Sequence, residues 1–338
     1  MAIIATTKVL THNNWKFASK IEVGDYLFDR NGQPTKVIRV QEYYAQDCYR
    51  VTLCDGITIS GDKNLTFPTE NPKYRKRICE YKGVQKFRRP LKLLSIKDLL
   101  ELPLTVKSGA KSYSIPSTKA IALPTQDLPV HPFVFGFWFF NRNINNQINI
   151  PKEHKDVVIQ KFKDAGYKIV HWRCKKTHRR VYSTEPRVEM QLIARIPIRI
   201  PQNYLLASPE QRITLLSGIL YSKRKQYNPA SDTFRITNRT SAVMRQVQGL
   251  VESLGIKTNL SYRQDANEYT LTFRSKILLM DHQVPTKIKV HQARRYIEFI
   301  KKIEPQMCVH IETQGADKSF LVEEGFISCL WHHNKNLG

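Results

Sequence analysis

Apolar and polar residues alternate at period two through much of residues 1–102, and that rhythm predicts strands. Tyr49-Arg50-Val51-Thr52-Leu53 carries it, Ile38-Arg39-Val40-Gln41 carries it more briefly, and Asp55-Gly56 supplies a hairpin turn into Ile57-Thr58-Ile59-Ser60. An earlier turn signal, Asp29-Arg30-Asn31-Gly32, follows Tyr26-Leu27-Phe28 and leads into a strand beginning near Thr35. These segments predict an antiparallel meander, and the end of the chain reads the same way. Between them, residues 103–129 hold Pro103, Pro116, Pro124 and Pro129 with little periodicity, which predicts a connector.

The middle of the chain follows a different rhythm and contains an internal repeat. Its first unit is an apolar helix, Pro132-Phe133-Val134-Phe135-Gly136-Phe137-Trp138-Phe139-Phe140-Asn141. A short strand around Ile148 to Ile150 follows, then a helix near Glu153 to Ala165 that ends at Gly166. The second unit runs Gln211 to Lys223 through Gly218, then a strand at Thr233 to Thr237 and a helix over Ser241 to Leu254 that ends at Gly255. In that last helix Val243, Met244, Val247, Leu250, Val251 and Leu254 share one face, with glycine just past the end as a cap. A hairpin follows, Asn259 to Arg263 and Tyr269 to Ser275 around Asp265-Ala266-Asn267-Glu268, with Leu271 and Phe273 on one face and Thr270, Thr272 and Arg274 on the other.

Charge changes the picture from a generic mixed fold to one built for a polyanion. The 338 residues include 54 Lys plus Arg against 29 Asp plus Glu, a net charge of +25 with pI near 9.8. Hydrophobic residues make up 41%, enough for packed cores, so wholesale disorder is excluded. Within the repeat region bases outnumber acids. Arg173, Lys175, Lys176, Arg179 and Arg180 form the densest group, and Arg235, Arg239, Arg263 and Arg274 lie on or near predicted strands. Sheet side chains can read the major groove while Lys and Arg neutralise phosphates, although plain solvation explains any single one of them equally well. A second basic run, Lys73 to Lys92, is open to the same two readings. No apolar run reaches membrane-spanning length and Met1 to Trp15 lacks a signal-peptide pattern, so a soluble intracellular protein is expected. The 6 Cys and 10 His show neither CxxC pairing nor HExxH spacing; neither a disulfide scaffold nor a structural zinc is expected.

A mid-helix glycine at Gly136 and at Gly218 allows two apolar helices to approach until their backbones touch. The residue five positions after each glycine then lies near the ends of the pair, a geometry suited to two carboxylates holding divalent metal against a phosphodiester. The bland alternative is a pair of buried core helices. The two segments resemble the paired motifs of LAGLIDADG homing endonucleases. Ile200 to Arg212 is similar to the lead-in to the second motif in endonucleases carried by inteins, and Ser253-Leu254-Gly255-Ile256 also fits. The resemblance implies an acidic metal ligand ending each motif. At those positions stand Asn141 and Lys223, followed by Arg142 and Arg224 where the family usually has glycine. Asn141 offers only a neutral carbonyl to a hard cation and Lys223 places an ammonium where the ion should sit, so no metal site is expected here, and Mg²⁺ enters only if endonuclease activity survives. Asp232 and Glu210 are neighbouring carboxylates that no spacing recommends as substitutes.

The flanking segments resemble the Hint fold of inteins. Thr6 to Thr11, Ile21 to Leu27 and Asn31 to Val37 are similar to an intein opening; Arg294 to Ile297, Cys308 to Glu312 and Phe320 to Ile327 are similar to its closing strands. The resemblance implies an α+β chain: an all-β Hint domain over residues 1–102 and 288–334, split by an inserted αββαββα-type two-motif LAGLIDADG domain over 130–282. Splicing needs a junction nucleophile, a group that polarises the scissile amide and a terminal asparagine. The first aligns with Ala2, which has no nucleophile; an Ala2 engineered to trap a precursor would read identically. The family's Thr-x-x-His is matched by Ser60-Gly61-Asp62-Lys63, with Lys63 at the histidine position. Cys308 stands where one intein subclass keeps its attacking cysteine, and Leu65 replaces the tryptophan of that subclass. Without a pKa-lowering partner in view, the reading favoured over a nucleophile for Cys308 is an inert buried thiol. The closing pair is His333-Asn334, set late and followed by Lys335, or by strict alignment Leu330-Trp331, which would abolish asparagine cyclisation.

The expectation is an intein-like protein carrying a homing-endonuclease-like domain that binds double-stranded DNA, with cleavage and splicing impaired and flanking host-protein segments as its other partner. Two alternatives stay open: a working endonuclease making Mg²⁺-dependent site-specific cuts, and a non-catalytic nucleic-acid-binding module.

Overall fold

The computed structural model describes residues 2–71, 91–143, 147–173, 180–192, 197–283, 294–315, 318–323 and 325–330, with 172–173, 180–181 and 189–190 as backbone only. They form two compact units, Met1–Ala122 with Lys289–Gly338, and Leu123–Ile288. Among the described residues no helix is long and apolar enough to cross a membrane.

The chain opens with β1 (Ile3–Ile4), β2 (Lys8–Leu10), β3 (Trp15–Phe17), β4 (Tyr26–Phe28), β5 (Pro34–Ala45), β6 (Cys48–Leu53), β7 (Thr58–Asp62), β8 (Thr66–Thr69), β9 (Lys92–Ser95), α1 (Ile96–Leu100) and β10 (Ser114–Pro116). Alternation predicted the β6–β7 hairpin, which turns at Asp55-Gly56 and pairs Thr52 with Thr58. The second unit adds α2 (Pro132–Asn141), α3 (Lys155–Asp164), β11 (Lys168–Arg173), β12 (Arg180–Glu185), α4 (Val188–Gln191), α5 (Gln202–Leu205) and α6 (Pro209–Tyr221). It continues with β13 (Tyr227–Asn228), β14 (Thr233–Asn238), α7 (Ser241–Glu252), β15 (Thr258–Arg263) and β16 (Glu268–Phe273), before the first unit is completed by β17 (Arg294–Ile303), β18 (Gln306–Thr313), β19 (Ser319–Val322) and β20 (Ile327–Leu330).

Returning strands are interleaved with opening ones in both sheets of the first unit. The order is β10-β17-β6-β7-β1-β18-β5-β4 in one and β3-β2-β19-β20-β8-β9 in the other. The core between them is apolar side chains from both ends of the chain, among them Ile3, Val51, Phe67, Val309, Phe320 and Ile327, so neither end can bury its face alone. The connector expected over 103–129 proves to be part of this unit as far as Ala122. Ser114 pairs with Tyr296, and the Ala122 amide donates to the Gly32 carbonyl at 2.8 Å. Its proline did not prevent strand formation because β10 is an edge strand, where Pro116 interrupts no second ladder.

In the second unit α2 and α6 lie against each other at their glycines. A Cβ built on Gly136 would collide with the Leu215 carbonyl, and one on Gly218 with the Phe133 carbonyl. Around this contact pack Phe135, Phe137, Trp138, Leu216, Ile219 and Leu220, all buried. The lead-in to the second helix has a physical reading. The Tyr204 hydroxyl donates to the Val130 carbonyl at 2.7 Å, its ring stacking on Phe135 with centroids 4.3 Å apart. Ser208 and Gln211 close a capping box on α6. Arg212, fully buried, donates through Nε to the Ala207 carbonyl at 2.8 Å and through Nη1 to the Ser253 carbonyl at 3.0 Å, just past the end of α7. Burial pulls its pKa down to about 10, which leaves it charged at neutral pH beside a helix C-terminus that favours a cation.

The two halves of the repeat are unequal. The second builds the sheet β13-β14-β16-β15 against α7, whose buried face is the one read from helical spacing. The first has the ribbon β11–β12 and, in place of the strand expected near Ile148 to Ile150, an isolated bridge from Ile148 to Tyr182. The Asn- and Gln-rich turn before Ile148 has no period-two pattern to extend that bridge.

The helix contact generates a paired prediction. Gly218→Ala is expected to destabilise the protein by about 3 kcal/mol, because backbone must move to admit the methyl group. Gly249→Ala, in α7 with nothing within 4 Å of the added carbon, is expected to stabilise it by about 0.5–1 kcal/mol through helix propensity. Urea unfolding of both variants checks it; equal effects would contradict the close approach.

Candidate functional site

The end of the helix pair brings the two expected acid positions together. Asn141 is the last residue of α2, and Ser222 and Lys223 follow α6 directly. The Asn141 amide donates through Nδ2 to the Ser222 carbonyl and accepts through Oδ1 from the Asn149 amide, so both of its functional ends are spent on backbone. Lys223 lies half-buried, and its Nζ donates to the Thr237 carbonyl at 2.9 Å. Burial lowers its pKa, and the Glu268 carboxylate opposes that shift. Such a pair does not fit a divalent cation: one carbonyl is already engaged, and the other position is itself positive.

The residues after each acid position behave differently. Arg142 folds back over the rings of Trp138 and Phe139, its guanidinium carbon 4.3 and 4.9 Å from their centroids, and donates to the Pro197 carbonyl at 2.8 Å. Arg224 is exposed. Neither substitute carboxylate reaches the site. Glu210 sits in the first turn of α6, at the opposite end from Lys223, and Asp232 is buried and accepts from the Tyr227 hydroxyl at 3.0 Å. The carboxylate whose charge acts on Lys223 is Glu268, which the sequence placed in a turn. Strand register could have found it, since it pairs with Arg263 at the start of β16.

The predicted basic residues are distributed over two elements. On the sheet, Arg235 pairs with Thr272, which pairs with Asn259 on its other side, and Arg235, Asn259, Ser261 and Arg263 are all exposed. Arg239 is exposed just past β14, and Arg274 is exposed with Nε donating to the Thr233 hydroxyl at 3.3 Å. The Arg263 guanidinium lies 3.8 Å from the Glu268 carboxylate. Arg173 and Arg180 are register partners at the end of the β11–β12 ribbon; Lys175, Lys176 and Arg179 lie outside the described residues, as does the basic run except Lys92.

The first unit assembles a second polar cluster around Ala2, which is buried. The Ala2 amide donates to Asp62 Oδ1 at 2.8 Å, and the Asp62 amide donates back to the Ala2 carbonyl at 3.0 Å. Asp62 Oδ2 also accepts from the Tyr43 hydroxyl at 2.8 Å and from Asn64 Nδ2 at 3.2 Å. Gly61 permits this approach, for a side chain there would strike the Ala2 carbonyl. The polar side chain that holds the Ala2 amide is therefore Asp62. Lys63, the residue aligned with histidine, instead reaches Asp47 at 3.0 Å with its side chain about half exposed.

Cys308 joins this cluster. Its Sγ lies 3.8 Å from Cys48 Sγ, and Ala2, Ala45, Cys48 and Cys308 pack together. Burial and the neighbouring Cys48 push the Cys308 thiol well above the ordinary range, so it is held as the neutral thiol rather than the nucleophilic thiolate. His333, Asn334, Trp331 and Lys335 lie outside the described residues; Leu330 ends β20. Alkylation of the native protein with iodoacetamide near pH 8 is expected to modify the exposed Cys54 and to spare Cys48, Cys308 and Cys329 until denaturant is added. Peptide mapping reads the result, and rapid labelling of Cys308 in the native state would contradict its burial.

No family model matches the chain. The replicative DNA helicase DnaB of Mycobacterium intracellulare is 21% identical over 358 aligned residues, which take in 100% of this chain and 59% of the helicase; the chain thus spans under two thirds of that relative. Among solved structures it is similar to the MchDnaB-1 intein, at 29% identity over 20% of this chain and 53% of that one, with a TM-score of 0.20. The gp41-1 intein shows 22% identity over 33% and 73%, with a TM-score of 0.22. The homing endonuclease I-DmoI in complex with DNA and Mn shows 10% identity over 47% and 97%, with a TM-score of 0.30. With the notched helix pair and the interleaved β unit already in place, the chain is an α+β protein of mostly antiparallel sheets with few helices.

Proposed function

We propose that the chain is an intein-type protein, a Hint domain carrying an inserted LAGLIDADG homing-endonuclease domain, that the inserted domain binds double-stranded DNA without cutting it, and that the Hint domain no longer splices. The observation that carries this reading is the pair Asn141 and Lys223 at the acid positions. Hydrolysis of a phosphodiester by this architecture calls for a divalent cation, which activates water and neutralises the charge building on the phosphate. An ammonium beside a fully engaged amide repels that cation. Binding needs less: exposed Arg235, Arg239, Arg263 and Arg274 in a strongly basic chain supply counterion release, and Arg173, Lys175, Lys176, Arg179 and Arg180 are proposed to extend that surface.

In the Hint domain, Ala2 offers no nucleophile and Cys308 is held neutral. The Asp62 carboxylate accepts from the Ala2 amide, which fixes the junction and reinforces the double-bond character of that peptide rather than polarising its carbonyl. Flanking host-protein segments, if joined to the chain, are proposed to remain attached.

Supercoiled plasmid incubated with the protein and Mg²⁺ is expected to stay intact, while retention on duplex DNA falls by about 10³-fold between roughly 50 and 200 mM salt. Site-specific nicking would contradict the reading. Asn141→Asp with Lys223→Asp is expected to create Mg²⁺ binding measurable by calorimetry, and no gain in that double variant would count against the assignment of the two positions. Intact mass of the protein fused to flanking sequence is expected to equal that of the full precursor.

A further inference from the structure

We propose that the Lys223 ammonium is a built-in phosphate anchor: it stands in for the divalent cation at the end of the helix pair and contacts a DNA phosphodiester oxygen there. The inference rests on the DNA-binding reading above and names a contact within it.

Lys223 has a fixed place. It follows α6 directly, and the Asn141 side chain ties the end of α2 to the carbonyl of the preceding residue, Ser222. One of its three N–H groups is used on the Thr237 carbonyl at 2.9 Å, its one hydrogen-bond partner among the described residues, which leaves two donors for a ligand. Thr237 lies on β14 two residues from Arg235 and two from Arg239, so the ammonium is delivered to the strand that carries exposed bases.

The surroundings call for an anion. Burial disfavours the charged amine, and Glu268 offsets that only in part. Glu268 is itself engaged by Arg263 at 3.8 Å, while Lys223 is hydrogen-bonded to the strand that carries exposed Arg235 and leads to exposed Arg239. A phosphodiester brought to the end of the pair would meet an oriented, partly desolvated cation, where Coulomb attraction is less screened than on the open surface. The charge needed to hold a phosphate is thus retained, while the Lewis acidity needed to activate water is lost. Lys223 departs from the family pattern in a direction that favours grip without chemistry.

The test uses the full chain and a fluorescent mixed-sequence duplex. Affinity is measured against salt, with EDTA or with Mg²⁺ at matched ionic strength. The wild-type protein is expected to bind no more tightly with Mg²⁺ than with EDTA, because a divalent ion only competes for the phosphates. Lys223→Met is expected to bind roughly tenfold more weakly, with the slope of log affinity against log salt reduced in magnitude by about 0.9, the loss of one phosphate contact. Lys223→Arg is expected to restore the slope. Lys163→Met, at an exposed position on α3, serves as the control. A wild-type slope in folded Lys223→Met, or Mg²⁺-dependent tightening of the wild type, overturns the anchor while leaving DNA binding intact. Failure of the wild type to bind the duplex instead sinks the reading on which the anchor rests. Acetylation of lysines in the wild type with and without DNA gives a readout that needs no variant. DNA is expected to protect Lys223 selectively over Lys163, and equal modification of Lys223 in both states also overturns the anchor.

Discussion

Backbone contact between α2 and α6 is the constraint on which the second unit depends. Helices that touch through carbonyls and glycines have no room for side chains at the crossing. The Phe133 carbonyl therefore occupies the space a residue larger than Gly218 would need, and the Leu215 carbonyl does the same at Gly136. The crossing fixes which residues meet farther along. Five positions after each glycine the chains leave the pair, so Asn141 and Lys223 arrive at the same place whatever their chemistry. Aromatic packing around the contact, with Phe133 edge-on to Phe162 and Phe135 stacked on Tyr204, supports the geometry without depending on the groups at its end.

That separation of scaffold from chemistry runs through both units. A core needs volume and pattern, and tolerates change at positions that do not enter it. Catalysis needs particular functional groups, and loses them with single substitutions. At the helix ends stand an amide, Asn141, and an ammonium, Lys223. In the first unit, Ala2 is buried against Cys48 and Cys308, and its amide donates to Asp62. The Asp62 carboxylate accepts three donors, the Ala2 amide, the Tyr43 hydroxyl and Asn64 Nδ2, a pattern that holds this segment in place. In both places the polar side chains are absorbed into the hydrogen bonding of the fold.

Much of this was legible in the residues because it follows from period and spacing. The repeat declared itself through Gly136 and Gly218, the α7 face through Val243, Met244, Val247, Leu250 and Val251, and the β6–β7 turn through Asp55-Gly56. Three features were not legible, each for a physical reason. Pro116 suggested a connector, but an edge strand tolerates proline, and only long-range pairing with β17 reveals that β10 is an edge. Lys63 was the aligned residue, yet β7 ends at Asp62, whose side chain turns in to the Ala2 amide, while Lys63 begins the turn that follows and meets Asp47. Glu268 looked like part of a turn, and only the register with Arg263 places its carboxylate where Lys223 can feel it.

The central claim is that a protein cation, and not a metal ion, occupies the end of the notched helix pair when DNA is bound. Anomalous diffraction from crystals of the DNA complex soaked in Mn²⁺ tests it most directly. The account predicts a phosphate oxygen within hydrogen-bonding distance of Lys223 Nζ and no manganese peak between Asn141 and Lys223. A strong anomalous peak at that position, or Lys223 turned away from the DNA, would contradict it.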